Sequence, residues 1–546
     1  MKASDLFVSC LEEEGVEYVF GVPGEENLDL LESLRASSIR VIVTRHEQHA
    51  AFMAATYGRL TGRAGFCLST LGPGATNLLT GIAHAQLGGM PLVAITGQKS
   101  ARDNWQGNFQ LVDVVSTFRP LTKWNTSIAS ARTIPRYIRH AVKVAESERP
   151  GAVHLELPED VASEETPDAQ PQRRRRLRRP VPDEKAVSQA IELIRQASNP
   201  LLILSAGANR KRIGKQLKHF VEKTGIYAVS TQTGKGVLSD DHPRSLFSLG
   251  IHMRDYVHRG VETADLIITV GYDIVEYPPS VWNARKDKTI LHIDFNAAEP
   301  DEYYNPTLEV VGDISYTLWG IHDQIGPLSL QNQHLGELRA YMDQRLHPKS
   351  IEESYPPKPQ EIVHHVRTVM GREDIISLDN GIYKLWFARM YPTYAENTVL
   401  LDNALATMGA GLAGAMTAKL VYPERRVMAI CGDGGFMMNS QDLETAVRLG
   451  LDLVILLLRD DAYGFIRWKQ QAMNFPDFAM DFGNPDFVQY AEAYGARGLR
   501  LREGDHLAEL LQAALKHMGP VLVDCPIDYS ENAKLSDNLM EGNLPV

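Results

Sequence analysis

The chain has 546 residues, 44% hydrophobic and 23% charged, which excludes bulk disorder, collagen-like structure and a disulfide scaffold and allows about three to four domain cores. Lys and Arg number 56 against 68 Asp and Glu, and the net charge of −12 argues against general binding to nucleic acid or anionic membranes. Cys10, Cys67, Cys431 and Cys525 are scattered without metal-ligand spacing, and no leader or bilayer-length apolar run stands out, so a cytoplasmic protein with reduced thiols is expected.

From the N-terminus, short β-rich runs alternate with helical stretches, the pattern of a doubly wound α/β fold. Strands are predicted at 18–20, 40–44, 65–69, 91–96 and 152–157, with helices at 47–60 and 76–86, and together they delimit a first domain over 1–165. Val22-Pro23-Gly24-Glu25 is a turn after the first strand, and Gly72-Pro73-Gly74-Ala75-Thr76-Asn77 is a turn entering a helix. Between them, Arg45-His46-Glu47-Gln48-His49 opens a helix. Taken alone, Glu47 there is a first-turn glutamate at the positive helix end. His46 and His49 have no third ligand at metal spacing and read as structural.

Residues 166–182 form a linker rich in Pro, Gln and Arg. Its run Arg173–Arg176 reads as a solvated stretch rather than a nucleic-acid patch, because like charges oppose packing and the whole chain is acidic. A second, Rossmann-like domain over 183–340 has strands at 201–205, 264–271 and 289–295. The last two lack alternation, as central parallel strands do. Ser205-Ala-Gly207-Ala is not a GxGxxG, so a nucleotide-type fold without a nucleotide is open. A second linker over 341–360 contains Tyr355-Pro-Pro-Lys-Pro359. The third domain, 361–546 with a C-terminal tail, has strands at 374–378, 398–402, 427–431, 453–458 and 520–525. Most of these strand ends run into Gly, Asp or Asn, and ligands bind at that end of an open α/β sheet.

The sharpest motif is Gly432-Asp433-Gly434-Gly435, directly after one strand. The next strand ends in Arg459-Asp460-Asp461-Ala462-Tyr463-Gly464. Asp433 and Asp460 therefore stand at adjacent strand ends. Mg²⁺ favours hard oxygen ligands and pairs one or two carboxylates with phosphate oxygens, while the glycines let backbone N–H groups approach a diphosphate. Two ordinary βα turns also contain Gly and Asp. The 27-residue step from 433 to 460, with a strand end at both points, favours an Mg²⁺–diphosphate site.

This constellation resembles the thiamine-diphosphate enzymes, whose motif is a GDG followed at such a spacing by a paired Asn; Asp460-Asp461 stands there here and keeps an oxygen ligand. The resemblance implies Mg²⁺ held by Asp433, Asp460 and the main-chain carbonyl of Ala462. Gly432, Gly434, Gly435, Tyr463, Gly464 and Phe465 would surround the diphosphate. It also makes Glu47 the glutamate that shares a proton with the aminopyrimidine ring, with Pro23, Asn77 and Tyr383 as further cofactor contacts. Met408 would support the bent cofactor and the carbonyl of Ala406 would accept from its amino group, while Phe109 and Gln110 would line the reacting centre.

All three domains, in order and over nearly the whole chain, resemble the acetolactate synthase branch of that family. The stretch Trp105–Gln110 lacks the histidine pair of pyruvate-decarboxylase-type enzymes, which favours carboligation. Val275-Glu276-Tyr277-Pro278 is similar to the flavin-independent catabolic members, so no FAD is expected. Lys469 departs from the Trp or Gln that family members carry there. The implied activity is decarboxylating carboligation of small 2-keto acids, such as two pyruvates giving 2-acetolactate and CO₂. The alternatives are a 2-keto-acid decarboxylase releasing aldehyde and a flavin-dependent pyruvate oxidase. The implied assembly is a homodimer or homotetramer with Glu47 and Asp433 contributed to each site by different subunits.

Overall fold

A computed structural model describes residues 1–102, 108–166, 169–175, 178–209, 213–249 and 256–536. Its strands make three six-stranded sheets in which every pairing is parallel. The chain divides into two compact units. One comprises Met1–Arg178 with Ala404–Glu424 and Phe436–Leu451; the other comprises Arg179–Asn403, Arg425–Gly435 and Asp452–Val546.

The first unit holds strands β1 (Tyr18–Gly21), β2 (Arg40–Val43), β3 (Gly65–Ser69), β4 (Leu92–Gln98), β5 (Trp124–Ser127) and β6 (Ala152–Pro158), in the order β2-β1-β3-β4-β6-β5. Leu6, Phe7, Ile138 and Val142 from helices Ala3–Glu13 and Ile134–Glu146 pack with strand residues Val19, Phe66, Val93 and Val153 into one core. Helix Glu47–Thr61 is buried nearly all round. Its Ala50, Ala51, Ala54 and Ala55 let helices Leu79–Leu87 and Gly411–Val421 approach closely, with Gly81 seated against Ala51. The small side chains along its middle set the approach distance of the neighbouring helices.

In the Arg173–Arg176 run, Arg173 and Arg175 are exposed, as a solvated stretch would be, while Arg174 is not. Arg174 reaches Glu14 at 3.7 Å and Glu146 at 3.4 Å, and Glu14 is buried and also paired with Arg139 at 3.0 Å. Arg174 is thus docked on acidic residues of the first unit; Arg176 lies outside the described residues.

The second unit holds two sheets. Strands β7 (Pro200–Leu204), β8 (Tyr227–Ser230), β9 (Ser245–Ser248), β10 (Leu266–Val270), β11 (Thr289–Asp294) and β12 (Leu308–Val311) run β12-β11-β10-β7-β8-β9. Strands β13 (Ile375–Leu378), β14 (Val399–Leu400), β15 (Val427–Gly432), β16 (Val454–Arg459), β17 (Arg497–Arg500) and β18 (Val521–Pro526) run β14-β13-β15-β16-β18-β17, the same winding as the first unit's sheet. In each sheet the strand order reverses beside the first strand, which puts the ligand crevices at β1/β3, β7/β10 and β13/β15. Strands β5, β8, β9, β12 and β17 were not singled out from the sequence. The four cysteines are buried and unpaired, and among the described residues no helix is long and apolar enough to cross a membrane.

Candidate functional site

In the first unit, three turns meet at the carboxyl ends of β1, β2 and β3. Glu47 opens its helix behind the N-cap His46, whose Nδ1 accepts from the Gln48 N–H at 3.1 Å. The Glu47 side chain is buried, and its Oε2 accepts from Nδ2 of Asn77 at 2.9 Å. Gly74 lies just behind it, since a Cβ there would sit 3.3 Å from Glu47 Oε1. Gly72, at φ +49°, begins the helix Gly72–Asn77, and a Cβ there would lie 2.5 Å from the carbonyl oxygen of Gln110. This brings Gln110, itself at φ +59°, over that turn. Phe109 beside it is 77% exposed, and Pro23 is exposed on the β1 turn, whose Gly24 rests on Thr70. Trp105, Gln106 and Gly107 of the same loop lie outside the described residues. Ala406 is exposed and Met408 half-buried in a stretch of this unit where Thr407 Oγ1 lies 3.3 Å from His84 Nδ1.

In the second unit, Asp433 follows β15 and is buried. Its Oδ1 accepts from the Gly434 N–H and its Oδ2 from the Asp461 N–H and the Asn484 side chain, each at 2.8 Å. Asp461 is exposed at φ +53°, and its carboxylate is spent on Asn484 and Arg459 at 2.8 and 2.9 Å. Arg459 also grips the buried Asp524. Asp460 is left as the carboxylate that answers Asp433. Burial, and next the charge of Asp433, push its carboxyl up to about 7 against a weaker pull from Arg467. Burial also raises Asp433 above the ordinary carboxylate range. Two hard oxygen donors that repel one another in this way fit a divalent cation such as Mg²⁺.

The surrounding residues are tightly fitted. The Tyr383 hydroxyl accepts from the Gly432 N–H at 2.9 Å, and its ring lies so near Gly432 and Gly381 that side chains there would crowd it. Tyr383 is therefore a buried floor beneath the turn. Gly434 faces the ring of Tyr463, which is 39% exposed and packs on Phe482, and a Cβ on Gly435 would lie 2.8 Å from Asp379 Oδ2. Gly464 begins helix Gly464–Ala472 against the Asp460 carboxylate. Ala462 is buried in a bridge to Asp481, Phe465 packs against the core, and Lys469 lies over the rings of Trp468 and Phe465. Among the described residues no cluster of three or more His, Cys, Asp or Glu side chains is arranged to hold a metal. The two carboxylates would need backbone and phosphate oxygens to complete a coordination shell. Asn484 and Asp379 were missed from the sequence. Gly483-Asn484-Pro485 carries only a turn signal, and Asp379 stands at a strand end of the kind already noted.

Residues 1–117 match the thiamine pyrophosphate enzyme N-terminal TPP binding domain, 187–321 the central domain and 379–525 the C-terminal TPP binding domain of the same family. The chain is 34% identical to an acetolactate synthase of Bacillus subtilis, over 98% of this chain and 95% of that protein. It is 33% identical to a catabolic acetolactate synthase of Raoultella terrigena over 98% and 97%. It is also 32% identical to a probable acetolactate synthase large subunit of Methanocaldococcus jannaschii over 97% and 93%.

The chain belongs to the acetolactate synthase family of thiamine pyrophosphate enzymes. The family's N-terminal and C-terminal TPP binding domains contain the Glu47 and Asp433 turns respectively, and the central domain separates them along the chain.

Proposed function

We propose that this protein is a thiamine-diphosphate- and Mg²⁺-dependent carboligase that removes CO₂ from one 2-keto acid and joins the remaining acyl carbon to a second, with 2-acetolactate formed from two pyruvates. The observation that carries the reading is the placement of two carboxylates, Asp433 and Asp460, at the carboxyl ends of the adjacent, paired strands β15 and β16, the sheet's ligand-binding edge. Asp433, Asp460 and the Ala462 carbonyl would hold Mg²⁺, with Gly432, Gly434, Gly435, Tyr463, Gly464 and Phe465 around the diphosphate. Thiamine diphosphate supplies the electron sink for decarboxylation. Glu47, oriented by the hydrogen bond from Asn77, would be the carboxyl that shares a proton with the aminopyrimidine. Pro23, Ala406, Met408 and Tyr383 would shape the cofactor's seat, and Phe109 and Gln110 would line the reacting centre.

A form without FAD is supported by the central sheet. Glu276, beyond β10, lies across that sheet's crevice, where it accepts from the Thr233 N–H at 2.6 Å and from Asn403 at 3.1 Å, with Ser205 at 3.4 Å. Its own carboxylate thus uses polar groups at the strand ends. The exposure of Phe109 and Tyr463 supports a homodimer or homotetramer in which a second subunit covers these faces.

The test is product analysis by mass spectrometry after the protein, thiamine diphosphate and Mg²⁺ are given pyruvate and a panel of other 2-keto acids. A 2-hydroxy-2-acyl acid is expected. Aldehyde alone, or peroxide with bound flavin, would replace this reading with a decarboxylase or an oxidase.

A further inference from the structure

The turn that presents Glu47 is gripped from far along the chain. On its leading side, Nη2 of Arg448 donates to the carbonyl of Val43 at 2.5 Å. Two residues further on, still ahead of Glu47, Oδ1 of Asp442 accepts the Arg45 N–H at 2.9 Å. Both grips come from one short stretch, Ser440–Arg448, whose residues belong to the same compact unit as Glu47. Asp442 is fully buried and is fixed by a second bond from Thr445 Oγ1 at 2.8 Å. Among the described residues its other oxygen, Oδ2, has no hydrogen-bond partner; it lies 3.6 Å from Nδ1 of His49, a buried ring whose two nitrogens likewise have none there. Arg448 is held on its own helix by Glu444 at 2.9 Å.

A buried carboxylate is costly unless it is paired and hydrogen-bonded, so the bonds it makes are ones the fold holds firmly. This one spends a charge-assisted bond on a single backbone N–H two residues before Glu47 and faces the side chain two residues after it. Its bond to Arg45 and the Arg448 bond to Val43 leave the start of helix Glu47–Thr61 little freedom to rock. Resting on the reading of Glu47 as the proton-sharing acid, we infer that Asp442 and Arg448 are positioning residues that fix the Glu47 carboxyl for the reaction. Misplacement of a reacting group by 1 Å can cost ~100-fold in rate, which gives the clamp catalytic weight without any contact with substrate.

The experiment compares full-length D442N, D442A, R448A and E47Q with the parent protein. Amide hydrogen exchange over residues 43–50 is read without cofactor. Affinity for thiamine diphosphate with Mg²⁺, and deuterium exchange at C2 of the bound cofactor, are read with it. For D442A we expect faster amide exchange in that segment and C2 exchange slowed about 10- to 100-fold, in line with misplaced-group costs, with cofactor affinity within about threefold. In D442N the amide oxygen can still accept the Arg45 N–H, so that variant should remain within about tenfold of the parent, the scale of one weakened hydrogen bond. R448A alters an exposed side chain and should fold; it should slow C2 exchange by a smaller factor, and it carries the test if D442A does not fold. The proposal is overturned if E47Q loses C2 exchange while folded D442A and R448A keep it, or if D442N fails as completely as D442A. If E47Q itself keeps C2 exchange, the reading of Glu47 is what falls, and the clamp's catalytic role falls with it.

Discussion

Gly464 and Asp460 compete for one space: a Cβ on Gly464 would overlap Oδ2 of the Asp460 carboxylate. The glycine is required by proximity, because it lets a helix start against the Asp460 carboxylate, which on the proposed reading binds the metal with Asp433. Gly464→Ala should therefore swing Asp460 away from Asp433. The expected outcome is Mg²⁺-dependent cofactor affinity weakened about 10- to 100-fold, the range for disturbed support of a metal ligand, with the fold retained. Titration of thiamine diphosphate at several Mg²⁺ concentrations checks this, and unchanged affinity would remove Asp460 from the site.

Glu47→Gln keeps the side chain's size and the possibility of a hydrogen bond to Asn77 but removes the exchangeable carboxyl proton. If Glu47 is the acid that the cofactor's ring requires, turnover should fall about 100-fold or more, as for other general acid–base groups, while cofactor binding is nearly unaffected. Steady-state product formation and a parallel binding titration separate the two effects. Retention of more than about a tenth of the rate would contradict the role.

Asn484 makes a different prediction. Its Nδ2 bridges Asp433 Oδ2 and Asp461 Oδ1, both at 2.8 Å, and so ties the Asp461 carboxylate to that of Asp433. Asn484→Ala should loosen Asp433 and weaken Mg²⁺ affinity by about tenfold, the lower end for residues that orient a ligand, without changing the product. Isothermal titration with Mg²⁺ in the presence of thiamine diphosphate reads this. An unchanged affinity would make Asn484 only a loop brace.

What the sequence made legible follows from where signals are local. Strands such as 427–431 and 453–458 announce themselves because both faces are covered and every residue is apolar. The strands it did not reveal are mostly sheet edges, β5, β9, β12 and β17, where Trp-Asn-Thr-Ser or Arg-Gly-Leu-Arg carries little apolar pattern because one side faces no neighbour. The Asp433 and Asp460 turns were legible as glycine-flanked carboxylates at strand ends. Asn484, Asp442 and Arg448 were not, since each acts by reaching a backbone or carboxylate distant in sequence and no local spacing marks such a contact. The docking of Arg174 on Glu14 was hidden for the same reason: composition described the run, and only the fold supplied its acidic partner.

Glu531 gives the pH prediction. Hydrogen bonds from Lys534 at 2.6 Å, from Lys358 at 3.0 Å and from Gln360 push its carboxyl down to about 2, from 4.5 in an unfolded chain. A carboxyl whose pKa is lowered by folding adds stability that is fully present above the unfolded value and is lost as pH falls through the window toward the folded one. Lys358 and Gln360 lie at the start of helix Pro359–Val369, so this acid fastens the segment around Glu531 to the start of that helix. Glu531→Gln removes the titrating group. Its thermal midpoint should lie below the parent's near neutral pH, and the gap should narrow steadily once pH drops below about 4.5. Paired melting curves from neutral to acid pH test the sign directly. A gap that stays constant or widens on acidification would show that the Lys358–Glu531–Lys534 cluster does not stabilise the ionised carboxylate.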